Sequence, residues 1–135
     1  MENQRKTLSK GRKITAWILV GLLGALFVMS GAMKLMGSAE MTTFFVKYGL
    51  EGKNILIGTG ELIAVILFVV PKTSSLGVLL LSAHMGGAIA THMEHGESYI
   101  LPTILLLFVW VANWLRNPEM FSSFTRKRIR TDVTP

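Results

Sequence analysis

The sequence contains no cysteine. That absence excludes disulfides, thiol redox relays, thiolate metal sites and a lipid anchor on a cysteine of this chain. Charge is also scarce, with 16% of the 135 residues being Asp, Glu, Lys or Arg against 50% aliphatic, aromatic or Met. What charge there is leans one way: 14 basic residues face 8 acidic ones, for a formal net charge of +6. Polar helix faces are missing as well. Stretches such as 62–70 and 104–112 are apolar all round, unlike the helices of a soluble bundle. No base-reading module accompanies the basic excess, so nucleic acid is not an expected partner.

The excess of apolar residues points to lipid as the solvent. A hydrocarbon core about 30 Å thick needs about 20 apolar residues per helix, and residues 14–35, 54–70, 74–93 and 99–115 supply four such runs, the second and fourth a little short. The expected fold is therefore all-α, an integral membrane four-helix bundle. Arg5, Lys6, Lys10, Arg12 and Lys13 precede the first run, Lys72 lies between the second and third, and Arg116, Arg126, Lys127, Arg128 and Arg130 follow the fourth. Only Lys34, Lys47 and Lys53 fall on the other side, so the positive-inside rule puts both termini in the cytoplasm. Residues 1–13 and 119–135 read as basic cytoplasmic tails that can also touch anionic membrane lipids. A cleavable signal peptide ending near Ser30-Gly31-Ala32 is the rival reading of the first run, but the run is long for that role.

Between the first two runs, residues 37–53 are too polar to span and too patterned for a plain loop. Met41, Phe44, Phe45 and Tyr48 recur at helical spacing, Ser38 can cap the start and Gly49 the end. This predicts a short amphipathic helix at the outer interface, packed over the bundle mouth or acting as a lid. Trp17, Trp110 and Trp114 are read as inner interface markers, Tyr48 and Tyr99 as outer ones. In the first run, small residues such as Gly24 and Ser30 permit close approach. The third run carries two seams of small residues, Ser82, Gly86, Ala90 and Ala83, Gly87, Thr91, which predict the most enclosed helix. Pro71 stops the second helix with Ser74 as the next N-cap, and Pro102 fits the first turn of the fourth.

Ionisable residues inside a span are costly and become functional candidates by default. Glu61 lies about 10 Å and His84 about 15 Å below the outer ends of their helices at 1.5 Å rise per residue, in neighbouring layers. An unpaired carboxylate in hydrocarbon is held neutral, so Glu61's partner decides its state. Either Glu61 donates to His84, or Lys34 reaches down to it as an ion pair. His84, Ala88, Thr91 and His95 share a stripe, with His92 on its flank. His92, Glu94, His95 and Glu97 form an outer rim whose "HMEH" spacing resembles that of metal ligands without matching HExxH. His84 has the chemistry of a haem ligand, but no attachment motif accompanies it.

These residues sit in "SGAMKL" closing the first helix, "KYGL" ending the linker, "GTGELIAVILFVVP" and "LGVLLLSAHMGGAIATHMEHGE", before a Trp-rich fourth helix. Over residues 14–118 the chain thereby resembles the DoxX-like family of small bacterial four-span membrane proteins. The resemblance implies a bacterial inner-membrane bundle whose polar pocket is formed by Lys34, Glu61, His84 and His92. It also implies quinone-linked or oxidative-stress associations, because some relatives have them. Three functions follow as expectations. The first is an accessory subunit binding a small lipophilic molecule such as a quinone in an outer-half pocket. The second is a quinone oxidoreductase subunit, with Glu61 and His84 relaying protons and a redox partner protein supplying electrons. The third is a proton-coupled transporter, for which four spans call for a homodimer.

Overall fold

The computed structural model describes residues 8–122, and over them the chain is helical with no strand. The α-helices are α1 (Lys10–Met36), α2 (Ala39–Lys47), α3 (Asn54–Val69), α4 (Ser74–Glu94) and α5 (Ile100–Arg116). Short 3-10 turns occupy Pro71–Thr73 and Pro118–Phe121. α1 and the Pro71–Glu94 stretch are long and apolar enough to cross a membrane; α3 and α5 are apolar but shorter. Residues 1–7 and 123–135, most of the two expected tails, lie outside the described residues.

Local chemistry sets the helix ends. The Ser9 hydroxyl accepts from the Arg12 backbone N–H at 3.3 Å, so α1 starts ahead of its apolar run and takes Lys10 to Lys13 as its first turn. Gly37, at φ 58°, ends it in the left-handed conformation that glycine adopts without a steric penalty. Ser38 caps α2 by accepting from the Met41 N–H, as the sequence predicts. One expectation shifts: Thr73, not Ser74, is the residue before α4, and neither caps it through a side chain. Ser74 instead donates to the Pro71 carbonyl at 3.1 Å and Thr73 to that of Leu67 at 2.9 Å, because the intervening 3-10 turn draws both hydroxyls back toward α3.

The four longer helices pack in a closed ring, α1 against α3 and α5, and α4 against the same two. Phe27, Val65, Phe68, Val78, Leu81 and Val109 fill its centre. Backbones approach most closely at three glycines. A Cβ on Gly77 of α4 would meet the Phe68 nitrogen of α3 at 2.1 Å, and one on Gly58 would lie 3.0 Å from the Gly31 carbonyl oxygen of α1. The seams expected to bury α4 do not pack in this way. Nothing lies within 4 Å of a Cβ at Gly86 or Gly87, and α4 is less enclosed than α1. Small residues permit close approach without demanding it.

Two arginines tie the helix ends together opposite the α1–α3 connection. Arg12 donates to the Leu115 and Trp114 carbonyls at the end of α5, both at 3.0 Å, and lies over the Trp114 ring. Arg116 donates to the Phe68 and Val69 carbonyls at the end of α3, and its guanidinium carbon is 5.5 Å from the Trp17 ring centre. These carbonyls have no further turn to bond to, so each guanidinium supplies the missing donors. Trp110 is no simple interface marker: its indole N–H donates to the Ser82 hydroxyl of α4 at 3.0 Å.

Candidate ligand-binding site

The Gly31–Gly58 contact brings the outer halves of α1 and α3 together. From the next turn of α1, the Lys34 side chain turns back across this contact to meet Glu61 of α3. The ammonium is 2.6 Å from Glu61 Oε2 and donates equally closely, at 2.6 Å, to the Ser30 hydroxyl one turn back on α1. Glu61 is 1% exposed and Lys34 15%, so this is a buried pair. Desolvating a carboxylate without a partner costs several kcal/mol, which the adjacent ammonium offsets. His84 comes from α4 on the other side, its Nε2 3.5 Å from Glu61 Oε1. Of the two expected partners it is Lys34 that pairs closely with Glu61, and Glu61 joins three helices.

Lys34, Ser30 and His84 face a half-enclosed cavity of about 720 Å³, while Glu61 stands behind them. The walls are mostly apolar, with Leu26, Met29 and Met33 from α1, Met85 and Ala88 from α4 and Leu105 from α5. Met41, Phe44, Phe45 and Tyr48 complete the lining from α2, so the amphipathic helix covers the cavity with its apolar face. Flexible thioether side chains suit such a wall to ligands of variable outline.

At the rim, Glu97 in the α4–α5 loop holds α2 down. It accepts from the Lys47 ammonium and from the Tyr48 hydroxyl, and its Oε2 lies 3.4 Å from His92 Nδ1. The Lys47 and Tyr48 hydrogen bonds hold the Glu97 carboxyl down at about 2, while Glu97 in turn raises both the Lys47 ammonium and the Tyr48 phenol. Tyr48, expected to mark the interface, is buried by this contact.

The expected metal set is not gathered. His92 lines the cavity beside Tyr48, His95 Nδ1 is 2.8 Å from the Thr91 carbonyl oxygen, and Glu94 is exposed. Among the described residues no three His, Cys, Asp or Glu side chains group as ligands would. The His84 stripe divides accordingly, with Ala88 and Thr91 at the cavity and His95 outside its lining. Sequence reasoning overlooked Ser30 as a polar partner, although it sits four residues before Lys34, the spacing at which side chains on one helix meet.

No curated protein and no solved structure matches the chain. The sequence pattern of the DoxX-like family, however, matches residues 18–112, a stretch that takes in Lys34, Glu61, His84, His92 and the whole cavity wall. With most of its length and all of this site inside that match, the chain belongs to the DoxX-like family.

Proposed function

We propose that the protein spans the bacterial inner membrane with its four longer helices, both termini cytoplasmic, and binds a small lipophilic molecule of the quinone class in the cavity under α2. The membrane part is supported by the outward faces of the helices: Ile18, Leu22, Ile66, Leu79, Leu101 and Leu107 are each more than half exposed. A monomeric soluble protein does not present so continuous an apolar surface to water. The orientation is supported by Lys10, Arg12, Lys13, Lys72 and Arg116, which gather at the end of the ring where Arg12 and Arg116 tie the helices. The chain acts in this reading as a binding subunit beside a redox partner protein.

The observation that carries the binding role is the Lys34–Glu61 pair, 2.6 Å long, beside His84 at the wall of a mostly apolar cavity. A few convergent polar groups in an apolar chamber of a few hundred Å³ are the usual make-up of a small-molecule site. Native mass spectrometry with lipid extraction tests it on the detergent-purified chain. The wild type is expected to retain a discrete hydrophobic mass that Glu61→Gln and His84→Ala lose while keeping their helical circular dichroism. A wild type that carries nothing beyond bulk lipid overturns the reading.

A further inference from the structure

We infer that the cavity takes a single-chain amphiphile sideways from the outer half of the bilayer, with the hydrogen-bonding head of the ligand inside and its apolar chain leaving between α1 and α5 into lipid. The inference rests on the membrane and binding roles proposed above and adds the form of the ligand and its route.

Exposure divides the lining by polarity. The polar lining residues, Ser30, Lys34, Tyr48, His84, Thr91 and His92, are all buried or half-buried. The exposed lining residues are apolar without exception. A residue that both lines a cavity and is exposed lies at its edge, so the open part of this chamber is apolar and its polar part is covered. Most of that edge belongs to two helices that are neighbours in the ring. Leu26, Met29 and Met33 follow one face of α1, with Met29 62% exposed, and Leu101 of α5 is 66% exposed.

α1 and α5 are fastened to each other at their opposite ends, where Arg12 donates to the Trp114 and Leu115 carbonyls. Among the described residues no hydrogen bond or ion pair joins their outer halves. Above them the water-facing end is covered by α2, whose Phe45 and Tyr48 are buried and which Glu97 fastens. The route that is framed by side chains alone is therefore the lateral one, and its frame is hydrocarbon.

An amphiphile matches this division. Its head exchanges a surrounding without hydrogen-bond partners for one that has them, which is a gain in any apolar medium. Its chain passes from lipid to leucine and methionine side chains that are about as apolar as the lipid, so threading it through the edge costs little. A compact polar solute coming from water meets α2 on one side and hydrocarbon on the other.

The test uses the full chain in phosphatidylcholine nanodiscs and, as probe, a benzoquinone with a decyl chain that carries a photoreactive diazirine midway along it. Native mass spectrometry counts the bound probe, and peptide mapping after illumination locates the label. The expected result is bound probe with label on Leu26, Met29, Met33 or Leu101, lost when the same quinone without the diazirine is added in excess. Bound probe whose competed label falls instead on Phe45, Tyr48 or Ile57, or nowhere on the chain, overturns the lateral route and leaves the pocket standing. No bound probe beyond that of empty nanodiscs overturns the pocket reading and this inference with it.

Discussion

Lys34 and Glu61 meet at 2.6 Å across the antiparallel α1–α3 crossing at Gly31 and Gly58, because the Lys34 side chain turns back along α1, past Gly58 and toward Ser30, to reach the carboxylate. The ion pair and the helix crossing are therefore one arrangement, and changes at either should be felt at both.

Gly58→Ala tests the crossing. Its Cβ would stand 2.9 Å from Lys34 Cβ and 3.0 Å from the Gly31 carbonyl oxygen, so the helices must separate. Overpacking of this kind costs about 1–3 kcal/mol, read as a lower Tm in detergent together with loss of the retained ligand. Gly60→Ala, where nothing lies within 4 Å, is the control and should match or slightly exceed the wild-type Tm.

Removing one partner of the buried pair should be worse than removing both. Lys34→Met leaves Glu61 at 1% exposure without its ammonium, and breaking a buried pair from one side costs about 3–5 kcal/mol. The double variant Lys34→Met, Glu61→Gln should recover a large part of that loss in chemical unfolding. If it is no more stable than the single variant, the pair is not the element that stabilises this crossing.

The hold of Glu97 on α2 has a defined pH range. Its carboxyl lies at about 2 in the folded protein against an ordinary 4.5. A depressed folded value contributes fully above the unfolded one and is lost as pH falls from about 4.5 toward about 2. Maleimide labelling of a Leu105→Cys reporter in the cavity wall, in a chain with no other thiol, should proceed at the intrinsic thiolate rate profile from pH 8 to pH 6. Glu97→Gln should speed it throughout that range. Unchanged labelling in Glu97→Gln would mean that α2 is held by its apolar face alone.

At the opposite end, Arg116→Met should strand the Phe68 and Val69 carbonyls, which Pro71 prevents from continuing a helix. Leaving such groups unsatisfied costs about 1–3 kcal/mol. Arg116→Lys should restore only part of the Tm, since an ammonium cannot reproduce the fork that reaches two carbonyls at once.

The long helices were legible from the sequence because apolar runs report burial in any apolar surrounding. α3, α4 and α5 fall within a residue of the predicted bounds, and only the start of α1 moved, where Ser9 sets the end by a local hydrogen bond. Glu61, Lys34 and His84 could be singled out as polar residues in apolar runs. Which partner Glu61 takes could not, because it depends on the α1–α3 crossing. The same limit hid the Tyr48–Glu97 contact, which joins residues 49 positions apart. It also led attention to Gly86 and Gly87, although the glycine that a neighbouring backbone touches is Gly77. A glycine looks the same in sequence whether it faces a backbone or open space.

The Gly77–Phe68 contact also divides the molecule mechanically. With backbone against backbone there, and again at Gly31 and Gly58, α1, α3 and α4 cannot slide past one another without collision. They form the fixed frame of the chamber. α2 is fastened chiefly through Glu97 at its end, and α5 meets the frame through side chains that can change rotamer. Any widening of the half-enclosed chamber must therefore come from movement of α2 or α5, with Lys34, Glu61 and His84 held on the frame.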